Sequence, residues 1–226
     1  MSAKGELIFD NLENMDNILI FVGSSGSGKT TLVEHIRKNL GIPQLVTTTT
    51  RNKRCDEKEG KDYHFIETKE FNRLADNESF LETTNYSGNL YGLTKEEIYK
   101  NSNNVSTVIT DVNGARALAN LYPDRAMVFW MKSTPFNLVK RLRKRGESWF
   151  TIISRLFNAY RCGEFSVPSS EFADVAFTII HSEDEMVNNF GIVYYKLLIE
   201  ELKKNKDYLQ QLEKEKELNN GRKTLL

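Results

Sequence analysis

The chain has 226 residues, with 31 Lys plus Arg against 31 Asp plus Glu, so its formal net charge is zero and no overall field draws it to nucleic acid or anionic lipid. Hydrophobic residues make up 39% and charged residues 27%, which excludes a disordered chain and leaves enough apolar side chain for a buried core. The longest apolar runs, Ile18 to Val22 and Ala126 to Met131, fall far short of the roughly 20 residues a membrane helix requires.

In chain order, residues 1–16 read as an N-terminal extension, with acidic and amide residues where a signal peptide needs an apolar stretch. The cysteines, Cys55 and Cys162, stand at no metal-ligand spacing, and both features predict a cytoplasmic protein. The run from Asn17 to Val22 predicts a buried strand. Leu32, Val33, Ile36 and Leu40 predict a helix over Thr30 to Leu40. Further strands are predicted over Val105 to Ile109, Ala126 to Met131 and Val175 to Ile180. Helices are predicted over Gly114 to Leu121, Pro135 to Leu142 and Phe150 to Tyr160. This alternation predicts an α/β core with a parallel sheet flanked by helices, formed by residues 17–41, 95–134 and 166–200, with ligands at the carboxyl ends of the strands.

Two stretches interrupt it. Residues 42–94 are polar, with a threonine run, a charged turn and the short strand-like Tyr63-His64-Phe65-Ile66, and predict a small mixed α/β insertion. Residues 135–165 are basic: seven cations lie between Lys140 and Arg161 against one acid, Glu147, and Arg145-Gly146 makes a break between two helices. A solvated helix face explains such a run unless other signals give it a task. Residues 201–226 read as a charged helix or tail, its leucines too few for a coiled coil.

Gly23-Ser24-Ser25-Gly26-Ser27-Gly28-Lys29-Thr30 fits G-x-x-x-x-G-K-[ST], follows a strand and opens a helix. Backbone N–H groups can wrap a polyphosphate only where side chains do not intervene, hence the glycines. Lys29 supplies a cation to the β- and γ-phosphates, Thr30 offers a hydroxyl to Mg²⁺, and Thr31 continues the helix N-terminus that faces the same anion. ATP binding is the expectation. The tetrapeptide N-K-x-D of guanine-reading switch proteins is absent from the sequence.

The stretch Thr47-Thr48-Thr49-Thr50-Arg51-Asn52-Lys53-Arg54, then Glu59-Gly60-Lys61-Asp62-Tyr63-His64-Phe65, then Phe80-Leu81-Glu82, then Gly88-Asn89-Leu90-Tyr91-Gly92, resembles the guanylate kinase family in order and spacing. With the phosphate loop, Asp111 and Arg145-Gly146, the resemblance runs from about Asn17 to Asp184. It implies a P-loop kinase fold with an acceptor-binding insertion (42–94) and a helical lid (135–165). Arg51, Arg54, Tyr63 and Tyr91 match the family's clamp on the acceptor phosphate, Glu82 its guanine-reading carboxylate, and Thr47 a position where serine is common. Arg141, Arg145 and Arg155 match its lid arginines. The chemistry agrees: arginines fork onto a phosphate, and a carboxylate can accept both N1–H and N2–H of guanine, where adenine presents an acceptor lone pair.

Asp111 closes a strand where acids hold Mg²⁺ directly or through water; capping or packing is the other role open to it. Two positions depart from the family. Leu93 stands where Ser or Thr is usual, and Asn113 replaces the second carboxylate of a D-x-D, both at positions that help read the base. They predict a guanine preference short of strict specificity. His35 and His64 are expected to be structural. The expected activity is MgATP plus GMP giving ADP plus GDP, by a monomer or homodimer without nucleic-acid or membrane partners. Two alternatives stand beside it: a related kinase with another phosphorylated acceptor, such as ribose 1,5-bisphosphate, and a guanylate-kinase-like domain that binds proteins without catalysis.

Overall fold

Five consecutive apolar residues, each no more than 1% exposed, make strand β1 (Ile18–Val22), too buried on both faces for anything but the centre of a covered sheet. The computed structural model describes residues 16–55, 57–86, 88–101, 105–166, 172, 175–181, 189 and 191–193. The chain divides into two compact units, Met1–Asn189 and Phe190–Leu226. In the second unit the described residues are the helical 191–193, and the two sheets among the described residues belong to the first. Of the N-terminal extension only Asp16 is described, and the charged tail 201–226 lies outside the described residues.

β1 lies between β6 (Ser106–Ile109) and β7 (Ala126–Lys132), and β8 (Ala176–His181) adds beyond β7, giving the order β6-β1-β7-β8 with every pair parallel. Residues 43–45 extend the sheet past β6: Thr107 N–H donates to the Pro43 carbonyl (2.8 Å) and Leu45 N–H to the Thr107 carbonyl (2.7 Å). The chain thus winds outward on one side of β1 and later on the other, and the carboxyl end of β1 opens into the crevice where α/β sheets hold their ligands. Helix α1 (Lys29–Leu40) buries Leu32, Val33 and Ile36. α4 (Val112–Leu121) packs Val112, Ala115, Leu118 and Ala119 into the cluster that holds Ile20, Val108, Val128 and Trp130.

A second sheet, β3-β2-β5-β4, is built from β2 (Thr48–Thr49), β3 (His64–Phe65), β4 (Phe80–Tyr86) and β5 (Asn89–Thr94). β2 pairs parallel with β3 and antiparallel with β5, and β4 and β5 form an antiparallel hairpin, bulged between Phe80 and Glu82. Helices α2 (Thr68–Asp76) and α3 (Lys95–Lys100) flank it in sequence. Neither the hairpin nor α2 was legible as an element in the sequence. β4 reads Phe-Leu-Glu-Thr-Thr-Asn-Tyr, and its bulge destroys the alternation that marks a half-buried strand. α5 (Pro135–Lys144) and α6 (Trp149–Arg161) follow β7, separated as expected at Arg145-Gly146, where Gly146 takes φ +79°.

Candidate functional site

The glycine loop leaves β1 at Gly23, whose φ is +140° and whose Cβ, if it had one, would sit 2.4 Å from the Met131 carbonyl oxygen at the end of β7. Only glycine passes there. At the far end of the loop Gly28 (φ +99°) caps α1 without a side-chain hydrogen bond, and the first turn holds no acid. By contrast α3, α4, α5 and α6 are each capped by a side chain, from Thr94, Asp111, Thr134 and Ser148, and α2, which has no side-chain cap, carries Glu70 in its first turn. The N-terminus of α1 therefore offers its N–H groups and positive dipole end to an outside anion.

Lys29 folds back along the loop, donating to the carbonyls of Gly23 (2.5 Å) and Ser24 (3.0 Å). Burial of its ammonium pushes the pKa down to about 8; Glu164 opposes the fall and Arg145 adds to it. Gly23, Ser25, Gly26, Gly28, Lys29 and Thr30 line one side of a cleft. Ser24 and Ser27 are buried behind the loop, and Thr31 is exposed. Of the three arginines expected in a lid, Arg145 lines the cleft. Arg155 lines it too, donating to Ser25 Oγ and pairing with Glu147 (2.9 Å). Arg141 donates to the Gly26 carbonyl at 3.3 Å.

Thr47, Arg51, Arg54, Tyr63, Glu82 and Tyr91 line the same cleft. Strand register gathers them: Thr49 faces Tyr91, Tyr91 faces Thr84, Leu93 faces Glu82, and Thr48 faces His64. Arg51 lies over the Tyr63 ring, 5.3 Å from its centroid, and Tyr63 and Tyr91 meet edge to face at 6.0 Å. A residue the sequence reading missed, Glu57, occupies the place between the two arginines expected to clamp a phosphate. Its carboxylate is forked by Arg51 (3.0 and 2.7 Å), accepts the Arg54 N–H at 2.8 Å and takes Arg54 Nη1 at 3.4 Å. Burial pushes the Glu57 carboxyl up, but these bonds outweigh it and hold it below the ordinary range. The two arginines thus converge on one planar anion, as they would on a phosphate.

Asp111 is the N-cap of α4. Its Oδ1 accepts the Gly114 N–H (2.9 Å) and its Oδ2 the Thr84 hydroxyl (3.0 Å), and the residue also lines the cleft. The capping role left open by the sequence is therefore filled, without removing the carboxylate from the site. Glu82 is held beside it. Burial, then the like charge of Asp111, pushes the Glu82 carboxyl up to about 7, against a backbone hydrogen bond from Leu93. Its Oε1 lies 3.3 Å from where a Cβ of Gly114 would be.

Two expectations need correction. Leu93 shares a face of β5 with Tyr91, but it is fully buried in the apolar core with Val112 and Trp130 and is not among the residues that line the cleft. Asn113 sits exposed on the first turn of α4, where its side chain accepts from Arg116 at 2.9 Å, and it is not among the residues that line the cleft. Besides Glu57, the sequence reading missed Thr84, Tyr86, Thr110 and Glu164, all of which line the cleft. Glu164 is 5% exposed and hydrogen-bonded to the Tyr86 hydroxyl. Burial holds its carboxyl above the ordinary range, against the opposing pull of Lys29 and Tyr86, with Asp111 adding to the rise. Their spacing carried no signal, since each is set by a strand register or a helix end. His64 pairs with Glu59 at 3.0 Å away from the cleft lining, in keeping with a structural role.

A family model described as guanylate kinase matches residues 15–176. The guanylate kinase of Fusobacterium nucleatum is 35% identical over 147 residues, 64% of this chain and 80% of that protein. One from Prochlorococcus marinus is 34% identical over 152 residues, 66% of this chain and 83% of the relative. The crystal structure of guanylate kinase from Anaplasma phagocytophilum superposes with a TM-score of 0.62 at 23% identity, covering 83% of this chain and 87% of that one, a likeness of fold. Among the described residues no helix is long and apolar enough to cross a membrane.

Proposed function

This chain belongs to the guanylate kinase family, and from that premise we propose that it transfers the terminal phosphoryl group of ATP to GMP, giving ADP and GDP. The observation that carries the reading is the convergence of two anion sites on one cleft. The uncapped α1 N-terminus with Lys29 forms one site, and Arg51 and Arg54, forked on a single carboxylate, form the other. A kinase that joins two phosphorylated substrates needs both.

In this reading Gly23 to Thr31 wrap the donor's phosphates, and Arg51, Arg54, Tyr63 and Tyr91 grip the acceptor's phosphate once it displaces Glu57. Glu82, ionised, accepts N1–H and N2–H of guanine, and Thr47 lines the same cleft. Phosphoryl transfer passes through a loose transition state whose charge spreads over the moving group, so catalysis consists of aligning two oxygens and surrounding the group with cations. Lys29, Arg141, Arg145 and Arg155 are the cations at hand. Hard oxygen donors at Thr30 and Asp111 suit Mg²⁺, which when bound supplies positive charge to the phosphate oxygens. Residues 42–94 serve as the acceptor-binding unit and 135–165 as the lid, whose approach excludes water.

Because Leu93 lies in the core and Asn113 off the cleft lining, nothing in their placement favours a different acceptor. The test is ADP release from MgATP over GMP, dGMP, AMP, UMP and ribose 1,5-bisphosphate. GMP and dGMP should be the best acceptors. Turnover of ribose 1,5-bisphosphate without GMP would remove Glu82 from base reading, and ADP release with none of them would leave a binding domain.

A further inference from the structure

Glu164 is a buried acid on the cleft to which phosphoryl transfer assigns no task. It is 5% exposed, lies on the cleft lining, and its Oε2 has no hydrogen-bond partner among the described residues while the carboxylate takes the Tyr86 hydroxyl. Its place is fixed from two sides. Behind it, the end of α6 closes in a turn where Gly163 takes φ +68°, the Gly163 N–H reaches the Tyr160 carbonyl (3.1 Å) and the Glu164 N–H reaches the Ala159 carbonyl (2.9 Å). In front, Tyr86 on β4 holds the carboxylate.

A buried carboxylate with an unpaired oxygen is costly unless a cation or donor serves it. In the ligand-free protein the cation it faces is Lys29, whose ammonium is directed at the Gly23 and Ser24 carbonyls. Once the polyphosphate draws Lys29 away, Glu164 looks across the cleft at phosphate oxygens, like charge against like charge in a partly dry space. The arrangement is stable only with positive charge between them. Thr30 and Asp111 line the same cleft, and each Asp111 oxygen already accepts one hydrogen bond, so Glu164 contributes a carboxylate oxygen that no described residue hydrogen-bonds. Divalent cations that travel with nucleotides take one or two protein carboxylates and keep several waters, so few protein ligands suffice.

We propose that Glu164 is a positioning residue for the divalent cation of the bound ATP, its free Oε2 receiving the cation or a water on it, so that the same turn that ends the arginine-bearing helix α6 also sets the metal. The proposal rests on the reading of the cleft as an ATP site. It implies that the metal links the helix carrying Arg155 to the glycine loop.

The test is ATP binding by calorimetry, without acceptor, in EDTA and in Mg²⁺, together with Mn²⁺ binding to the ADP complex by electron paramagnetic resonance. Glu164→Gln keeps the shape and the Tyr86 hydrogen bond. It should retain metal-free ATP affinity while losing about tenfold of the gain that Mg²⁺ brings, and Mn²⁺ should bind about tenfold more weakly, as when metal-site supporting groups are removed. Glu164→Asp keeps the charge but withdraws the oxygen, and should lose the Mg²⁺ gain as well. Full Mg²⁺ gain and unchanged Mn²⁺ binding in both variants would overturn the proposal and leave Glu164 as the counter-ion of Lys29. Failure of the wild-type protein to bind ATP at all would instead defeat the ATP-site reading on which the proposal rests.

Discussion

The two sides of the cleft are encoded in different ways. The proposed donor side is one contiguous segment, Gly23 to Thr31, whose geometry is fixed within a single strand-to-helix turn. The proposed acceptor side draws Thr47, Arg51, Arg54, Tyr63, Glu82 and Tyr91 from separate strands and loops, and its geometry exists only if four short strands pair in the observed register. A one-residue slip of β4 against β5 would turn Glu82 away from the cleft. A local motif therefore tolerates change around it, whereas a site assembled by register depends on contacts far from any ligand. The donor side should accordingly fail through chemistry, and the acceptor side through both chemistry and stability.

The largest expected effect is on the donor side. Lys29→Ala should lower kcat about 10²-fold or more with an unchanged circular dichroism spectrum, since the ammonium serves the moving charge and contributes little to the core. Next come Arg51→Ala and Arg54→Ala, which should raise the KM for GMP and lower kcat while leaving ATP affinity alone. Arg51 should matter more, because it is less exposed and makes two short bonds to the anion where Arg54 makes one long one through its side chain. An effect on ATP affinity instead would break the division between the two sides.

A smaller effect distinguishes Glu82. Its carboxyl must be ionised to accept two donors from guanine, and in the free protein it is held at about 7. GMP affinity should therefore rise about tenfold from pH 6 to pH 8, in proportion to the ionised fraction. Glu82→Gln should flatten that part of the profile, leaving only the titration of the GMP phosphate. The same shift acts on folding with a definite sign. A carboxyl raised from 4.5 to about 7 favours the native state fully below pH 4.5, and this contribution is lost as pH rises through about 7. Ligand-free Glu82→Gln should accordingly lose less stability than wild type between pH 5 and 8 in thermal melts.

The smallest effect concerns Glu57. Glu57→Gln leaves the largely buried Arg51 guanidinium short of its counter-charge, and should destabilise the free protein by about 1–3 kcal/mol. GMP, whose phosphate replaces that charge, should then raise Tm more in the variant than in wild type. An equal shift in both would mean that Glu57 and the acceptor phosphate do not share the clamp.

Legibility in the sequence followed the same division. All four core strands and the helices α1, α4, α5 and α6 were readable to within a residue or two at most ends, because buried runs and amphipathic spacing are local properties. Lys29 and the glycines were readable because the motif is the geometry. Arg51, Arg54, Tyr63, Glu82 and Tyr91 were readable only through their family pattern; nothing in their spacing reveals that β2, β4 and β5 pair. Leu93 and Asn113 illustrate the limit. A position in a family pattern does not say that the core covers Leu93 where Tyr91, two residues earlier on the same face, lines the cleft, or that the first turn of α4 points Asn113 at Arg116. Glu57 and Glu164 were invisible as lone acids in polar stretches. Only the folded chain brings one to the Arg51 guanidinium and the other opposite Lys29.

The central claim is direct phosphoryl transfer between the two anion sites of this cleft, and following the label from γ-labelled ATP tests it most directly. With Mg²⁺ and GMP, the label should appear in GDP in a one-to-one ratio with ADP, with none retained on the protein after denaturation. Label on the protein, or release only as inorganic phosphate, would contradict it.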